Sequence, residues 1–274
     1  MLAILLVLAA DPTAEEIMGK LAENQKKSVE LRRGVVYRQE ILARMHRGKS
    51  KLAREHDYTF QVLPKPESFE REMVRFQGKY EKGGKYFTYD DPEHEYKKID
   101  IDGNILHELV KDWTGEEKSK DGINDDLFPF TTEKQKRYDF TLHGIEDYGS
   151  RQVYKITFQP RQPPKGESDW DNWWAGEVLV DAQEIQPVLV TSHQAKNFPM
   201  AVKIMLGTDI RKTGFKITYK DFGEGLWFPE KYGGELEFRV LFGYARKVSI
   251  SMLNSDLKRA NVESSVKFEE PVPH

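Results

Sequence analysis

From residue 34 onward, hydrophobic and polar residues alternate along the chain with a period of two. This is the pattern of β-strands that bury one face and leave the other in water. Short polar breaks separate the runs, so the strands are predicted to pair as antiparallel neighbours. The template predicts about a dozen strands. Their apolar positions include Val35, Ile41, Phe60, Val74, Phe76, Phe140, Ile156, Val178, Ile217, Phe238 and Phe242.

The breaks between these runs predict turns and loops. Gly83-Gly84 and Gly233-Gly234 lie between alternating runs, where tight turns favour glycine. Arg246-Lys247 interrupts the last long run and predicts a break between two strands. The segments 114–127 and 161–172 predict surface loops, the first because it is charged and the second because it contains Pro163-Pro164.

Two segments have helical spacing instead. Residues 13–16 fit a capping box, in which the Thr13 side chain accepts from a backbone N–H and Glu16 reaches back to the cap. The apolar positions that follow predict an amphipathic helix over 13–28. A second apolar helical pattern predicts a helix over 104–114.

Together these elements predict an α+β, mainly β fold. The strand at 34–46 would extend about 43 Å at about 3.3 Å per residue, and a strand of that length must coil. We therefore expect a long antiparallel sheet, curled into a half-open barrel, with a few helices over its concave face. No repeat or composition shift marks a border, so residues 11–274 are expected to form a single domain.

The first ten residues, MLAILLVLAA, form an apolar run too short to span a bilayer. The run resembles the apolar region of a secretory signal, with small residues at its end, although no basic residue precedes it. The alternative is a buried first turn of the following helix. We expect a signal peptide over 1–10 and an exported, periplasmic, soluble protein. The chain has no cysteine, so we expect no lipid anchor and no disulfide.

The charge balance and the missing motifs exclude several classes of function. The 42 basic and 45 acidic residues give a net charge of −3, so nothing favours a nucleic-acid partner. The chain has no Gly-x-Ser-x-Gly, Walker or Gly-x-Gly-x-x-Gly motif. The cluster at 90–95 lacks the oxygen spacing of a calcium loop and is interpreted as a solvated acidic turn. We therefore expect no catalytic residue, no metal site and no cofactor.

The tryptophans are the other candidate functional residues. They could stack on sugar rings or on a lipid chain as an aromatic rim, or they could be structural, as large aromatic side chains usually are. The candidates for the rim are Trp170, Trp173, Trp174 and Trp227.

A long curled sheet has more concave apolar surface than two short helices can cover, and an uncovered apolar surface usually marks a binding site. We therefore expect an apolar groove on the concave face. The same residues could instead be core beneath the helices. The predicted lining residues are Phe60, Val74, Phe76, Phe140, Val178, Phe238 and Phe242.

Several segments resemble the outer-membrane lipoprotein-sorting superfamily, the LolA/LolB-like proteins. The resemblance spans most of residues 13–255 and rests on structural motifs. Those motifs are residues 13–17 (TAEEI), 127–130 (LFPF), 138–140 (YDF), 174–181 (WAGEVLVD), 186–188 (QPV) and 225–229 (GLWFP). The resemblance implies a half-open antiparallel barrel that holds acyl chains of lipoproteins, and the absence of cysteine makes the soluble carrier type the closer match.

The leading hypothesis is a non-enzymatic, monomeric carrier that binds a lipid or an acylated protein and exchanges it with a partner protein of the inner or outer membrane. One alternative is an envelope scaffold or regulatory sensor that binds a protein partner. A further alternative is an enzyme acting on glycans, which would need two carboxylates at a fixed separation.

Overall fold

The computed structural model describes residues 11–48, 51–65, 68–92, 101–114, 128–162, 174–194, 208–240 and 244–260. Within these ranges the chain forms three helices and eleven strands. In chain order they are α1 (Ala14–Arg32), β1 (Val35–Arg47), β2 (Lys51–Pro64), β3 (Phe69–Lys82), β4 (Lys85–Tyr89), α2 (Ile101–Thr114), α3 (Thr132–Gln135), β5 (Tyr138–Tyr148), β6 (Arg151–Pro160), β7 (Trp174–Asp181), β8 (Pro187–Gln194), β9 (Thr208–Asp221), β10 (Trp227–Val240) and β11 (Tyr244–Arg259).

All eleven strands belong to one sheet in the order β4-β3-β2-β1-β11-β10-β9-β8-β7-β6-β5. Strands β4 and β5 are its two edges, so the sheet is open. Every neighbouring pair is antiparallel, and β1 joins β11 at the centre of the sheet. The predicted class, a long open antiparallel sheet with a few helices over one face, is confirmed.

Helix α1 begins as the sequence predicts. The Thr13 Oγ1 accepts from the Glu16 N–H at 3.2 Å, and the Glu16 carboxylate accepts from the Thr13 N–H at 2.9 Å. The helix continues to Arg32, beyond the predicted end at residue 28. The last turn is held by tertiary contact, because Arg32 is buried and donates to the Trp227 carbonyl at 3.2 Å.

Two predicted breaks are wrong, and both lie in the C-terminal strands. Gly233-Gly234 does not form a turn but lies within β10, paired with Ser251 and Ile250 of β11. Arg246-Lys247 lies within β11, because its backbone pairs with β1 on one side and with β10 on the other, and the Arg246 guanidinium is also bound by a helix carboxylate. By contrast, Gly83-Gly84 forms the predicted turn between β3 and β4, with φ of 60° and 81°.

Helix α2 begins at Ile101, three residues before the predicted start at Asn104. Most of the predicted loops 114–127 and 161–172, and the predicted signal 1–10, lie outside the described residues. None of the helices in the described ranges is long and apolar enough to cross a membrane.

Candidate functional site

The concave face of the sheet is the face that carries α1 and α2. Its buried side chains form one large apolar cluster with Met18 and Leu21 of α1 and Leu106 and Val110 of α2. Helix α1 packs against β5 and β10, whereas α2 packs against β1 and β2. The helices therefore cover two different parts of the face. We call them the α1 half (β5–β10) and the α2 half (β11 and β1–β4).

The strand registers align large apolar residues in one row across the concave face. Each member is paired directly with the next, so the row crosses ten strands without a polar side chain other than two tyrosine hydroxyls. We call this the apolar row. From β5 to β3 it consists of Leu142, Ile156, Val178, Val190, Ile217, Tyr232, Met252, Ile41, Tyr58 and Phe76.

A second row runs beside it and differs in composition. It crosses all eleven strands, and small residues occupy five of its positions. We call this the mixed row. From β5 to β4 it consists of Phe140, Phe158, Gly176, Ser192, Phe215, Gly234, Ile250, Ala43, His56, Gly78 and Tyr89.

Two glycines of the mixed row allow close approaches. A Cβ on Gly78 would overlap the ring of Tyr89, which lies across this position from the edge strand β4. A Cβ on Gly176 would overlap the Thr191 carbonyl oxygen and would lie 2.7 Å from the ring of Phe158. Glycine is therefore required at both positions, by a side chain at one and by the neighbouring backbone at the other.

In the α2 half, the mixed row contains a buried polar cluster. The Nε2 of His56 lies 2.9 Å from the Tyr89 hydroxyl, and its Nδ1 lies 3.1 Å from the Tyr58 hydroxyl. The Arg54 guanidinium lies over the rings of Tyr80 and Tyr89, at 5.0 and 5.9 Å from their centroids. Burial, together with the nearby Arg54 charge, lowers the pKa of His56 to about 3, so the imidazole is neutral near pH 7.

Helix α2 is held at its first turn by ion pairs. The Asp102 carboxylate accepts from Arg246 of β11 at 2.8 Å and from Arg47 of β1 at 3.0 Å. Arg47 also contacts Glu81 of β3 at 3.4 Å. The Gly84 N–H and the Lys51 ammonium keep the pKa of Glu81 below its ordinary value. These charges fix the start of α2 over one end of the α2 half.

Helix α1 is held mainly by neutral hydrogen bonds to the turn between β7 and β8. The Asn24 amide donates to the Glu184 carbonyl at 3.1 Å, and the Gln25 amide donates to Gln186 at 2.6 Å. The Gln186 amide in turn donates to the Ser28 hydroxyl at 3.0 Å. These contacts, with that of Arg32, fix the C-terminal half of α1 to the strand ends.

The structure places four of the predicted lining residues on the concave cluster. Phe76 and Val178 are buried members of the apolar row, Phe140 is a partly buried member of the mixed row, and Phe60 packs partly buried against the same cluster. That they line a groove remains a prediction. The side chain of Phe238 and the whole of Phe242 lie outside the described residues.

Val74 departs from the predicted alternation. Thr59 pairs with Arg75 and Phe60 pairs with Met73, so Val74 is the extra residue of a bulge in β3. Its side chain is 61% exposed. The bulge interrupts the period-two pattern that had placed Val74 and Phe76 together.

The two described rim candidates are buried. Trp174 is 2% exposed and packs edge-on against Phe215 at 4.7 Å on the concave face. Trp227 is 1% exposed, and its Nε1 donates to Glu184 at 2.7 Å. These two residues therefore do not form an exposed rim. Trp170 and Trp173 lie outside the described residues.

Several residues of this face had no signal in the sequence analysis. Ser192 and Gly176 share the mixed row, and His56 meets Tyr89 there, only because of the strand registers. The pairing of Asp102 with Arg246 joins residues 144 positions apart. Within the described ranges, no three His, Asp or Glu side chains are grouped so that they could hold a metal ion.

No protein-family model and no curated protein matches the chain. Solved structures similar to it include an outer membrane lipoprotein-sorting protein domain from Vibrio parahaemolyticus, with a TM-score of 0.38 and 11% identity over 92% of this chain and 95% of that one. A LolA superfamily protein from Nitrosomonas europaea has a TM-score of 0.35 and 10% identity over 94% of this chain and 99% of that one.

A further similar structure is a DUF1329 family protein from Desulfovibrio piger, with a TM-score of 0.38 and 11% identity over 94% of this chain and 98% of that one. The first two of these structures carry the names of the superfamily that the sequence resembles.

Proposed function

We propose that this chain is a non-enzymatic carrier that binds an apolar ligand, a lipid or the acyl chains of a lipoprotein, on the concave face of its sheet. The proposal includes a single domain over 11–274, export to the periplasm after removal of residues 1–10, and exchange of the ligand with a membrane partner protein. The ligand would lie against the apolar cluster beside the helices.

The observation that carries this proposal is the extent of the apolar row. It crosses ten strands, whereas α1 and α2 pack against strands at separate parts of the face. Partly buried apolar side chains pack against this cluster in both halves. They include Phe60, Ile105, Leu109, Phe130, Phe140, Leu142, Tyr154 and Tyr219.

Burial of an acyl chain on such a face would be favourable. Each buried methylene contributes about 0.8 kcal/mol, so a single chain contributes several kcal/mol before the loss of freedom on binding is subtracted.

The first experiment is native mass spectrometry of the full chain, expressed with residues 1–10 and purified from periplasm without detergent, followed by organic extraction. A mass excess that matches a phospholipid or an acylated peptide supports the proposal and identifies the ligand class. An empty protein that instead forms a stable complex with a host protein overturns it in favour of the partner-binding alternative.

A matched pair of variants on β5 tests the location of the ligand. Phe140 and Leu142 face the cluster and are partly buried, whereas Thr141 between them is exposed on the opposite face. We expect Phe140→Glu with Leu142→Glu to reduce the bound ligand at least tenfold, since a charge would enter the apolar surface. Thr141→Glu should leave it unchanged. Equal ligand binding by the wild type, the double variant and Thr141→Glu would contradict a site on the concave face.

A further inference from the structure

Besides the Gln39 Oε1, two buried hydrogen-bonding groups that can donate lie on the concave face without a partner among the described residues. They are the indole Nε1 of Trp174 and the hydroxyl Oγ of Ser192. The two residues are 2% and 5% exposed. A buried polar group without a partner loses its hydrogen bonds to water and gains none in return, so such groups are rare and each requires an explanation.

The two groups lie on adjacent strands of the α1 half. Gly176 pairs with Ser192 and Trp174 pairs with Gln194, so Trp174 and Ser192 are diagonal neighbours on one face. Ser192 also pairs with Phe215, whose ring contacts Trp174 at 4.7 Å. Alternation places Ser192 on the concave face, since Val190, two residues before it, belongs to the concave cluster.

The mixed row leads from these groups toward the centre of the sheet. From Ser192 it passes Phe215, Gly234 and Ile250 to Ala43 on β1. At about 4.8 Å between strands, this path is roughly 19 Å long. It carries no charged side chain, so the neighbourhood of Trp174 and Ser192 suits an apolar chain with a single polar atom at one end.

The chemistry of the two groups restricts that polar atom. An indole N–H can only donate, and a hydroxyl can donate to the same acceptor, so the ligand must supply an oxygen acceptor. A carboxylate would bring a charge into a site whose row neighbours, Gly176 and Phe215, are uncharged, and an unpaired buried charge is far more costly than a neutral carbonyl.

We propose that Trp174 and Ser192 form the polar subsite of the ligand-binding face and bind the carbonyl oxygen of a neutral acyl ester. The proposal rests on the apolar-ligand function proposed above and makes it more specific. The ligand is an acylated molecule whose ester group lies between β7 and β8 and whose chain follows the mixed row. A hydrocarbon without an acceptor would leave both donors unpaired.

The test compares two probes of equal chain length, methyl palmitate and hexadecane, each radiolabelled and delivered from cyclodextrin to the full chain in equilibrium dialysis. We expect the wild type to prefer methyl palmitate. Trp174→Phe and Ser192→Ala should each reduce the ratio of ester to alkane affinity about tenfold, which corresponds to one lost hydrogen bond. A general loss of apolar packing would weaken the binding of both probes by a similar factor, so it would leave the ratio of their affinities unchanged.

Two further measurements separate this role from a structural one. In the unliganded protein, Ser192→Ala removes a buried unpaired hydroxyl and should leave the unfolding midpoint unchanged or raise it. The matched control is Trp227→Phe, which removes an indole N–H that already donates to Glu184. This control should lower the unfolding midpoint and leave the ester-to-alkane ratio unchanged.

The outcomes distinguish the subsite from the function. If the wild type binds both probes and the ratio is unchanged in Trp174→Phe and Ser192→Ala, the subsite is wrong and the apolar-ligand function stands. A lower unfolding midpoint of Ser192→Ala, with an unchanged ratio, would make Ser192 structural and would also overturn the subsite. If the wild type binds neither probe, the proposed function itself fails.

Discussion

The two halves of the concave face are built differently, and the two helices are attached accordingly. Helix α1 is tied to the β7–β8 turn by neutral hydrogen bonds of Asn24 and Gln25, and its last turn is tied to β10 by the Arg32 guanidinium, which donates to the Trp227 carbonyl. Among the contacts of the described residues, helix α2 is held by the ion pairs of Asp102 and by the apolar side chains that it packs on the sheet. We therefore expect the removal of a single bond to weaken the attachment of α1 to the sheet slightly and that of α2 strongly.

The side chains beneath the helices differ in the same way. In the α1 half the rows are largely aliphatic and aromatic, and unpaired polar groups on this face include Ser192 of the mixed row and its neighbour Trp174. In the α2 half, His56 is hydrogen-bonded at both ring nitrogens within a cluster of aromatic rings. The comparison indicates that the His56 imidazole serves the fold in the α2 half, whereas the proposal makes Trp174 and Ser192 of the α1 half available to a ligand.

The largest expected effect is the loss of the α2 anchor. Asp102→Asn removes the charge that pairs with Arg246 and Arg47, and we expect a loss of about 3 kcal/mol in the free energy of unfolding. Hydrogen exchange should accelerate in α2 and not in α1. The control is Glu133→Gln, which breaks an exposed pair with Lys136 and should change stability by less than about 0.5 kcal/mol. Unchanged protection of α2 would show that the ion pairs do not hold it.

Alanine substitutions at the two tightly packed glycines of the mixed row, one in each half, compare how well the two halves tolerate an added methyl group. Gly176→Ala would place a methyl group against the Thr191 carbonyl, which cannot move without separating β7 from β8, and we expect a loss of about 3 kcal/mol. Gly78→Ala meets the ring of Tyr89 on an edge strand, which can move only by giving up its hydrogen bond with His56, so a smaller loss of about 2 kcal/mol is expected. Denaturant unfolding of the two variants and of the wild type measures both losses. A larger loss for Gly78→Ala would mean that the α2 half is the more rigid one.

A third expected effect is a pH dependence of the α2 half. The pKa of His56 is about 3 when folded and near 6.5 when unfolded, so between these values the unfolded chain binds the extra proton and stability falls as pH falls. From pH 7 to pH 5 this residue should reduce the free energy of unfolding by about 2 kcal/mol. His56→Gln should remove that part of the pH dependence. Parallel pH profiles for the two proteins would contradict a buried neutral imidazole.

Local sequence patterns were sufficient to predict most elements of the fold. The capping box at Thr13, the period-two runs and the Gly83-Gly84 turn each act over a few residues, so the sequence predicts them correctly. The errors came where a distant partner changed a local preference. Gly233-Gly234 stays extended because β9 and β11 pair with it, and Arg246 continues a strand because β1 and β10 pair with its backbone.

The candidate site was predictable only in outline. Alternation correctly indicated that Phe76, Phe140 and Val178 share an apolar face with a long sheet around them. It could not show which residue of one strand lies beside which residue of the next. A single bulge in β3 moved Val74 out of the pattern.

The sequence by itself determined that this chain forms a long, open antiparallel sheet with an apolar face, because side-chain alternation is a property of each strand alone. Only the tertiary structure decided that Ser192 lies beside Gly176 and diagonally from Trp174, and that His56 meets Tyr89 across Gly78. Register depends on turns and bulges between strands, and a shift of one residue changes every neighbour along a row.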